Sequence, residues 1–566
     1  MVTPQTQPVT SSSDNGAIPH NWEAEPRLVT DLLDNAVTEH AERACLDYLG
    51  RTWTYRDVGR LVTRAARGLQ DLGLARGDRF ALCLPNTPYF VVLYFAALKV
   101  GAVVINLSPL YTEYEMSHII RDSGARMIAV PDIAAIHDKV RAVAVGAGSE
   151  KTIDKIIMCS MSAILPMAKG LGWRILNRHE RARFFDDGMH VSFARLLANH
   201  GVPDPVAMTP GDVAVLQYTG GTTGMPKGAM LTHRNLTANA LQQRAHVATA
   251  MKGPQRTLAV LPMFHVFALT AVLNFSIEIA AELVLLPRFT MKMMLAAIKR
   301  KPPTLFCGVP TLFIAMNGLP RAQLPDLSKL RACISGGAPL PLDVRTTFEA
   351  LMGVGISEGY GLTEASPIVT CTPIGGPAKE NSCGPHFPGT VVEIRDPDDP
   401  MRLLPLGERG EVCVRGPQVM AGYWQRPEET AKAFIDGALR TGDIGYLDGD
   451  GYLFLVDRIK DVILCGGYNV YPRVIEEAAY RHPAIEEAIA IGIPDPYRGQ
   501  SPKLFVKLRA GHHVEPEAIR EFLATFLNKI ELPVAVEIRD HLPRTMVGKL
   551  SKKELVAEER MKQGQG

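Results

Sequence analysis

Three things are scarce in this sequence. Net charge is the first: 61 Lys and Arg face 59 Asp and Glu, leaving +2 at pH 7, so no global basic field marks the chain for nucleic acid. Long apolar runs are the second. No stretch reaches the ~18 uninterrupted apolar residues of a membrane span, and IIMCSMSAILPMA at 156–168 is short and holds Pro166. Paired cysteine is the third. The nine cysteines are scattered and none has CxxC spacing; this argues against a structural zinc site and reads as free thiols in a reducing compartment. The first residues, MVTPQTQPVTSSSDNGAIPHNW, lack the basic start and apolar run of a signal peptide. Their Thr, Ser, Pro and Gln predict a disordered leader over 1–26. The expected location is the cytoplasm, with the inner face of the membrane as the surface for peripheral contact. No repeat with a solenoid period is present.

What remains is globular in composition, 46% hydrophobic and 21% charged over 566 residues, which is too long for one core. Strand-like runs at 80–84, 127–130, 214–218 and 258–262 alternate with helical periodicity at 55–72 and 90–100. Such alternation predicts parallel α/β layers. From about 390 to 455 short runs between Gly, Pro and Asp turns predict a small β-rich subdomain. After Asp457 a compact α+β unit is expected, with helices at 472–480 and 515–527 and strands at 487–491, 502–508 and 534–537.

The strongest local feature is YTGGTTGMPKG, 218–228. A strand precedes it. Gly220, Gly221 and Gly224 let backbone N–H groups approach a polyanion, Thr219, Thr222 and Thr223 add hydroxyls, and Lys227 adds a cation. These are the parts of a triphosphate site. The spacing is not that of a Walker A loop, because the lysine follows Met225-Pro226 and precedes Gly228. Downstream, SEGYGLTEASP places an aromatic that can stack on a base (Tyr360), a hydroxyl for a phosphate (Thr363) and a hard oxygen ligand for magnesium (Glu364) within five residues. Asp443 sits in a Thr-Gly-Asp turn, where a carboxylate can accept both ribose hydroxyls. Asp448 and Asp450 read as solvated turn residues.

These motifs, with GAMLTHRN, GPQVMAGYWQRP and LFLVDRIKDVI, resemble the adenylate-forming enzymes: acyl-CoA synthetases, luciferase and peptide-synthetase adenylation domains. The likeness runs from about 27 to 559 and is nearest to bacterial long-chain fatty acyl-CoA synthetases. It departs at Gly220, where the family usually has Ser, and at Lys552, where it often has Arg. The resemblance implies an N-terminal AMP-binding domain over 27–457 and a small mobile α+β C-terminal domain over 458–566. It implies ATP, Mg²⁺ and coenzyme A as cofactor and co-substrates, and a fatty acid as the acid. It places Gly337, Ala338, Glu358, Gly359 and Gly361 with Tyr360 around the nucleotide, and Thr222 with Glu364 on the metal. Arg458 and Lys549 would meet the reacting phosphate, Lys460 would be the hinge, and Gly466 with Gly467 would line the CoA tunnel. His265, in PMFHVFA, would position substrate. Segments 264–269, 306–312 and 336–339 would line the acyl pocket.

The segment 156–185 has an apolar half followed by Lys169, Arg174, Arg178, Arg181 and Arg183 with Trp173 among them, a pattern that suits an anionic membrane surface. A homodimer is left open. Two other readings remain: a CoA ligase for a medium-chain, dicarboxylic or aryl acid, and a non-catalytic fatty-acid-binding relative. The intact Lys227, Glu364, Asp443, Arg458 and Lys549 weigh against the second.

Overall fold

The computed structural model describes residues 22–145, 152–219, 226–376, 379–466, 468–545 and 548–563. Most of the leader, 1–21, lies outside them. Two sheets organise the chain up to Cys371. The larger has eight strands in the order Ile368–Cys371, Ser357–Gly361, Ala332–Gly336, Leu305–Gly308, Arg256–Ala259, Glu282–Leu285, Ala44–Tyr48 and Arg51–Thr54. Only its two edge strands are antiparallel to their neighbours. The second runs His190–Ser192, Lys155–Cys159, Met127–Pro131, Arg79–Leu82, Val103–Asn106, Val213–Thr219 and Lys227–Thr232, antiparallel only at the last pair.

Parallel strands covered on both faces read as continuous apolar runs, and Val103–Asn106 is buried throughout. Helix Pro88–Lys99 is apolar on every side and buried from Pro88 to Leu98. Such a helix belongs inside, and it shares one core with strands of both sheets, including Phe80, Val104, Leu258 and Leu283. Its start follows from sequence: Thr87 caps it by accepting from the Phe90 N–H, and Pro88 supplies a pre-set first turn.

A third, antiparallel sheet holds Ser382–Pro385, Tyr452–Arg458, Ala438–Leu447, Gly410–Arg415 and Val391–Arg395, with Phe434–Ile435 at its side. The C-terminal strands form a fourth sheet, Tyr468–Val470, Ile463–Cys465, Gly499–Leu508 and Ile485–Asp495, with Ala535–Ile538 added in parallel to Gly499–Leu508. Helices Pro472–Tyr480 and Pro516–Leu523 complete a separate core around Ile475, Ile485, Leu504 and Ile519. The fold is therefore α/β, a large layered N-terminal part with a small α+β C-terminal domain.

Two sequence expectations change. The apolar half of 156–185 is the strand Lys155–Cys159, paired on both sides within its sheet and buried from Ile156 onward; a strand in that position spends its apolar residues on the core, which leaves only helix Met167–Leu176 and the loop after it as surface. Asp450 is exposed as expected while Asp448 is partly buried, and both pair with Lys379 beside their turn. Among the described residues no helix is long and apolar enough to cross a membrane.

Candidate active site

A cleft of about 1370 Å³ lies between the carboxyl ends of Ala332–Gly336 and Ser357–Gly361, the third sheet and the C-terminal domain. This is where α/β sheets generally bind ligands. Thr219 borders it at the end of its strand. Thr219 pairs with Lys227 in antiparallel register, so the glycine-rich connection is tied at its base. Gly220, Gly221, Thr222, Thr223 and Gly224 lie outside the described residues, as does Gly467. Lys227 does not border the cleft. It pairs with Glu429, and its ammonium sits 5.2 Å from the centre of the Tyr423 ring. The Tyr423 hydroxyl donates to Glu364 Oε1 at 2.8 Å. Glu364 is half-buried, borders the cleft, and has its backbone carbonyl held by the Met420 N–H.

Gly337, Ala338, Glu358, Gly359, Gly361 and Thr363 form one wall. Tyr360 is buried beside them and donates its hydroxyl to Asp443 Oδ2 at 2.7 Å. Asp443 and Arg458 face each other across antiparallel strands, and Arg458 Nε reaches Asp443 Oδ1 at 3.1 Å. Burial holds the Asp443 carboxyl above its ordinary value in spite of that cation. Arg458 is held up mainly by Asp443. Burial of Glu358 pushes its carboxyl to about 7, against the opposing charge of Arg473. Lys460 borders the same space, with its ammonium lowered by burial and by Arg458.

Lys549 enters from the C-terminal domain. It sits at the end of a turn in which Gly548 has φ +84° and Thr545 accepts from the Lys549 N–H at 3.2 Å. The N-terminal domain grips this turn, because the Thr311 hydroxyl donates to the Gly548 carbonyl at 3.1 Å. A second tie is the ion pair of Arg509 with Asp343 at 3.1 Å. The Lys549 side chain lies against Gly337, whose φ is +86° and where a Cβ would stand 2.5 Å from Lys549 Cε. Burial first, and Arg458 second, bring the Lys549 ammonium down to about 8.

His265 caps a short helix, its Nδ1 accepting from the Phe267 N–H at 3.2 Å. A neutral ring bonded this way carries its proton on Nε2, and burial with the nearby Lys549 pushes its pKa down to about 3. His265 thus stands at the cleft wall as a neutral ring with its N–H on Nε2. The cavity is also lined by Val247, Phe275, Leu305 and Ala332, which lie outside the three segments expected from sequence. Three thiols stand in the walls, Cys307, Cys371 and Cys383. All nine cysteines are buried; burial pushes Cys307 up to about 12 and the other two further. Gly466, at an exposed hairpin turn with φ +59°, does not border the cleft.

Sequence reading missed Tyr423, Glu429 and Arg473, and it had Thr311 only as part of the lining segment 306–312, without its bond to the C-terminal domain. Tyr423 stood inside the quoted GYWQRP motif; Thr311 and Arg473 become visible only when the two domains meet. Among the described residues no cluster of three or more His, Cys, Asp or Glu could hold a metal unaided. Magnesium is commonly held by one or two carboxylates plus substrate phosphates, and Glu364 brings one carboxylate to the cleft.

A family model described as AMP-binding enzyme matches residues 33–424, and another described as AMP-binding enzyme C-terminal domain matches 474–549. The chain is 38% identical over 549 residues to a long-chain-fatty-acid–CoA ligase of Bacillus subtilis (strain 168), covering 96% of each. It is 34% identical over 507 residues to a feruloyl-CoA synthase of Amycolatopsis sp, covering 89% of this chain and 94% of the other. The crystal structure of ATP-bound MatB from Rhodopseudomonas palustris superposes with a TM-score of 0.81 at 27% identity, covering 94% of this chain and 98% of that one. With both domains matched over most of their length and the cleft shared between them, the chain belongs to the AMP-binding enzymes and is an AMP-forming acid–thiol ligase.

Proposed function

We propose that the acid is a long-chain fatty acid and the thiol that of coenzyme A. The fatty carboxylate attacks the α-phosphate of ATP, forming an acyl-adenylate and releasing pyrophosphate. The CoA thiol then attacks the acyl carbonyl, forming the thioester and releasing AMP. The observation that carries this reading is the place of Lys549. It stands beside Gly337, within electrostatic reach of Arg458 and His265, in the cleft that both domains line.

Each side chain has a task in this scheme. Lys549 and Arg458 supply positive charge where the α-phosphate crowds with negative oxygens, the most effective single form of catalysis for such a centre. Asp443 takes the ribose hydroxyls once Tyr360 yields its oxygen, and Tyr360 presents its ring to the base. His265 Nε2–H holds the carboxylate oxygen. Thr219 and the glycine-rich connection hold the β- and γ-phosphates, and Lys227 joins them once it leaves Glu429. Glu364 with Thr222 would hold magnesium, which neutralises triphosphate charge. The wall formed by Val247, Phe275, Leu305 and Ala332 accepts an alkyl chain. Lys460, exposed in the short connection Ile459–Asp461, is the pivot that exchanges the Lys549 turn for the Gly466–Gly467 turn between half-reactions.

An aryl acid is the second reading. Gln243 and Thr257 bring polar groups to the cavity lining, and the feruloyl-CoA synthase is 34% identical to this chain. Pyrophosphate release over a panel of fatty, dicarboxylic and aryl acids, with and without CoA, separates the two. A preference for feruloyl-type acids over fatty acids of about sixteen carbons would overturn the fatty-acid assignment, as a tenfold ratio is ~1.4 kcal/mol of differential transition-state binding.

A further inference from the structure

Helix Met167–Leu176 leaves the buried strand Lys155–Cys159 through the turn Met161–Ile164. Two residues fix which side of it faces the protein. Gly170 is buried against the Ser162 carbonyl, where a Cβ would stand 2.5 Å from the oxygen. Trp173 packs on the main core. Residues spaced by four share a helix face, so Met167, Leu171 and Ile175 form a stripe on the far side. They are 92%, 62% and 63% exposed, and Leu176 at the helix end is 82% exposed. A helix on a globular surface normally turns such a stripe inward; four large apolar side chains held out within ten residues mark a contact surface.

The surrounding charge says what the contact is. Between 167 and 185 stand Lys169, Arg174, Arg178, Arg181 and Arg183 against one acid, Glu180. Arg181 faces Asp132 at 3.6 Å. Arg174 and Arg183 are exposed with no ionic partner among the described residues, and Arg178 Nε donates to the neighbouring His179 ring. Phe184 adds a half-exposed ring to the same loop. A second copy of this chain would oppose the same positive charge to itself. A bilayer with anionic headgroups accepts both halves of the surface, the guanidiniums at phosphate level and the apolar stripe at the acyl boundary. We infer that helix Met167–Leu176 and its basic loop dock the enzyme on an anionic membrane surface, with Met167, Leu171 and Ile175 entering the bilayer. The inference does not depend on which acid is activated.

The test uses the full chain and vesicles of phosphatidylcholine, alone or mixed with phosphatidylglycerol, in cosedimentation. Binding is expected to the mixed vesicles only and should fall with added salt. R174Q/R178Q should weaken the partition about thirty-fold, since each basic residue at such a surface contributes about fivefold. L171S/I175S should weaken it at least as far. Neither variant should change pyrophosphate release with acid and ATP in free solution. Equal binding to neutral vesicles, or binding unchanged in both variants, overturns the proposal. So does a lipid-free dimer of the parent chain that L171S/I175S dissolves, which would give the stripe to a second copy.

Discussion

Lys549 carries a prediction that pH can test. In the open cleft its ammonium lies at about 8 in place of 10.5, lowered first by burial and then by Arg458. The difference corresponds to roughly 3 kcal/mol withheld from the charged form, an upper value because the cleft is open to solvent. If Lys549 supplies charge to the α-phosphate as proposed, adenylation requires that charged form. It is full at pH ~7 and lost as pH rises through ~8, so kcat/KM for ATP should fall towards tenfold per pH unit above the inflection. His265 adds nothing in this range, being neutral down to about 3. The assay is single-turnover acyl-adenylate formation from ATP and acid without CoA. Consumption of supplied adenylate by CoA should instead rise with pH as the thiol ionises. Arginine has no proton to lose, so K549R should abolish the inflection. K549A should lower adenylation by ~10²–10³-fold and also remove it. A parent profile that is flat through pH ~8, or an inflection that survives in K549R, refutes the assignment.

Three further outcomes follow from the same geometry. G337A places a methyl against Lys549 Cε and forces a side chain into a positive φ; adenylation should drop by ~10²-fold while thioester formation from supplied adenylate is largely kept, at a stability cost of ~1–2 kcal/mol by melting. Glu358 binds its proton more tightly in the fold than in the unfolded chain, about 7 against 4.5, so its contribution favours folding at low pH and is lost as pH rises through ~7. E358Q should therefore raise Tm at pH ~8, by an amount equivalent to up to ~3 kcal/mol, and give no gain near pH ~4.5; equal shifts at both pH values would contradict the burial argument. K460P fixes φ in the exposed connection Ile459–Asp461 and should spare adenylation, block CoA-dependent consumption of adenylate, and leave the melt unchanged; wild-type rates in both half-reactions would remove rotation about Lys460 from the mechanism.

Much of this was legible because the signals are local. Strand runs such as 127–130 and 410–415 reappear as Met127–Pro131 and Gly410–Arg415, since burial on both faces writes a continuous apolar run and turn residues bound it. Tyr360, Glu364 and Asp443 border one cleft with Arg458 and Lys549. What stayed hidden depends on distant partners. Arg509 and Asp343 are 166 positions apart, and nothing in either segment announces the pair. The run 258–262 ends as a strand at Ala259, because the Val260 N–H turns back to the Leu258 carbonyl. The apolar residues 156–159 looked like a surface for lipid because a buried strand paired on both sides and an interfacial segment share one composition; only the sheet pairing separates them.

The thiols in the cleft walls bear on the enzyme's survival of its own chemistry. An acyl-adenylate is a mixed anhydride made to be attacked by sulfur, and Cys307, Cys371 and Cys383 stand within the same walls. Burial pushes Cys307 up to about 12 and the other two beyond it. Since only the thiolate is a competent nucleophile, at neutral pH Cys307 is ionised to the extent of roughly one part in 10⁵. An intermediate held in this cleft would face thiols that burial keeps protonated, while the thiol that arrives from solution ionises freely. A polar substitution that hydrated any of these three cysteines would turn a wall of the site into a competing acceptor, and the enzyme would inactivate itself in proportion to its turnover.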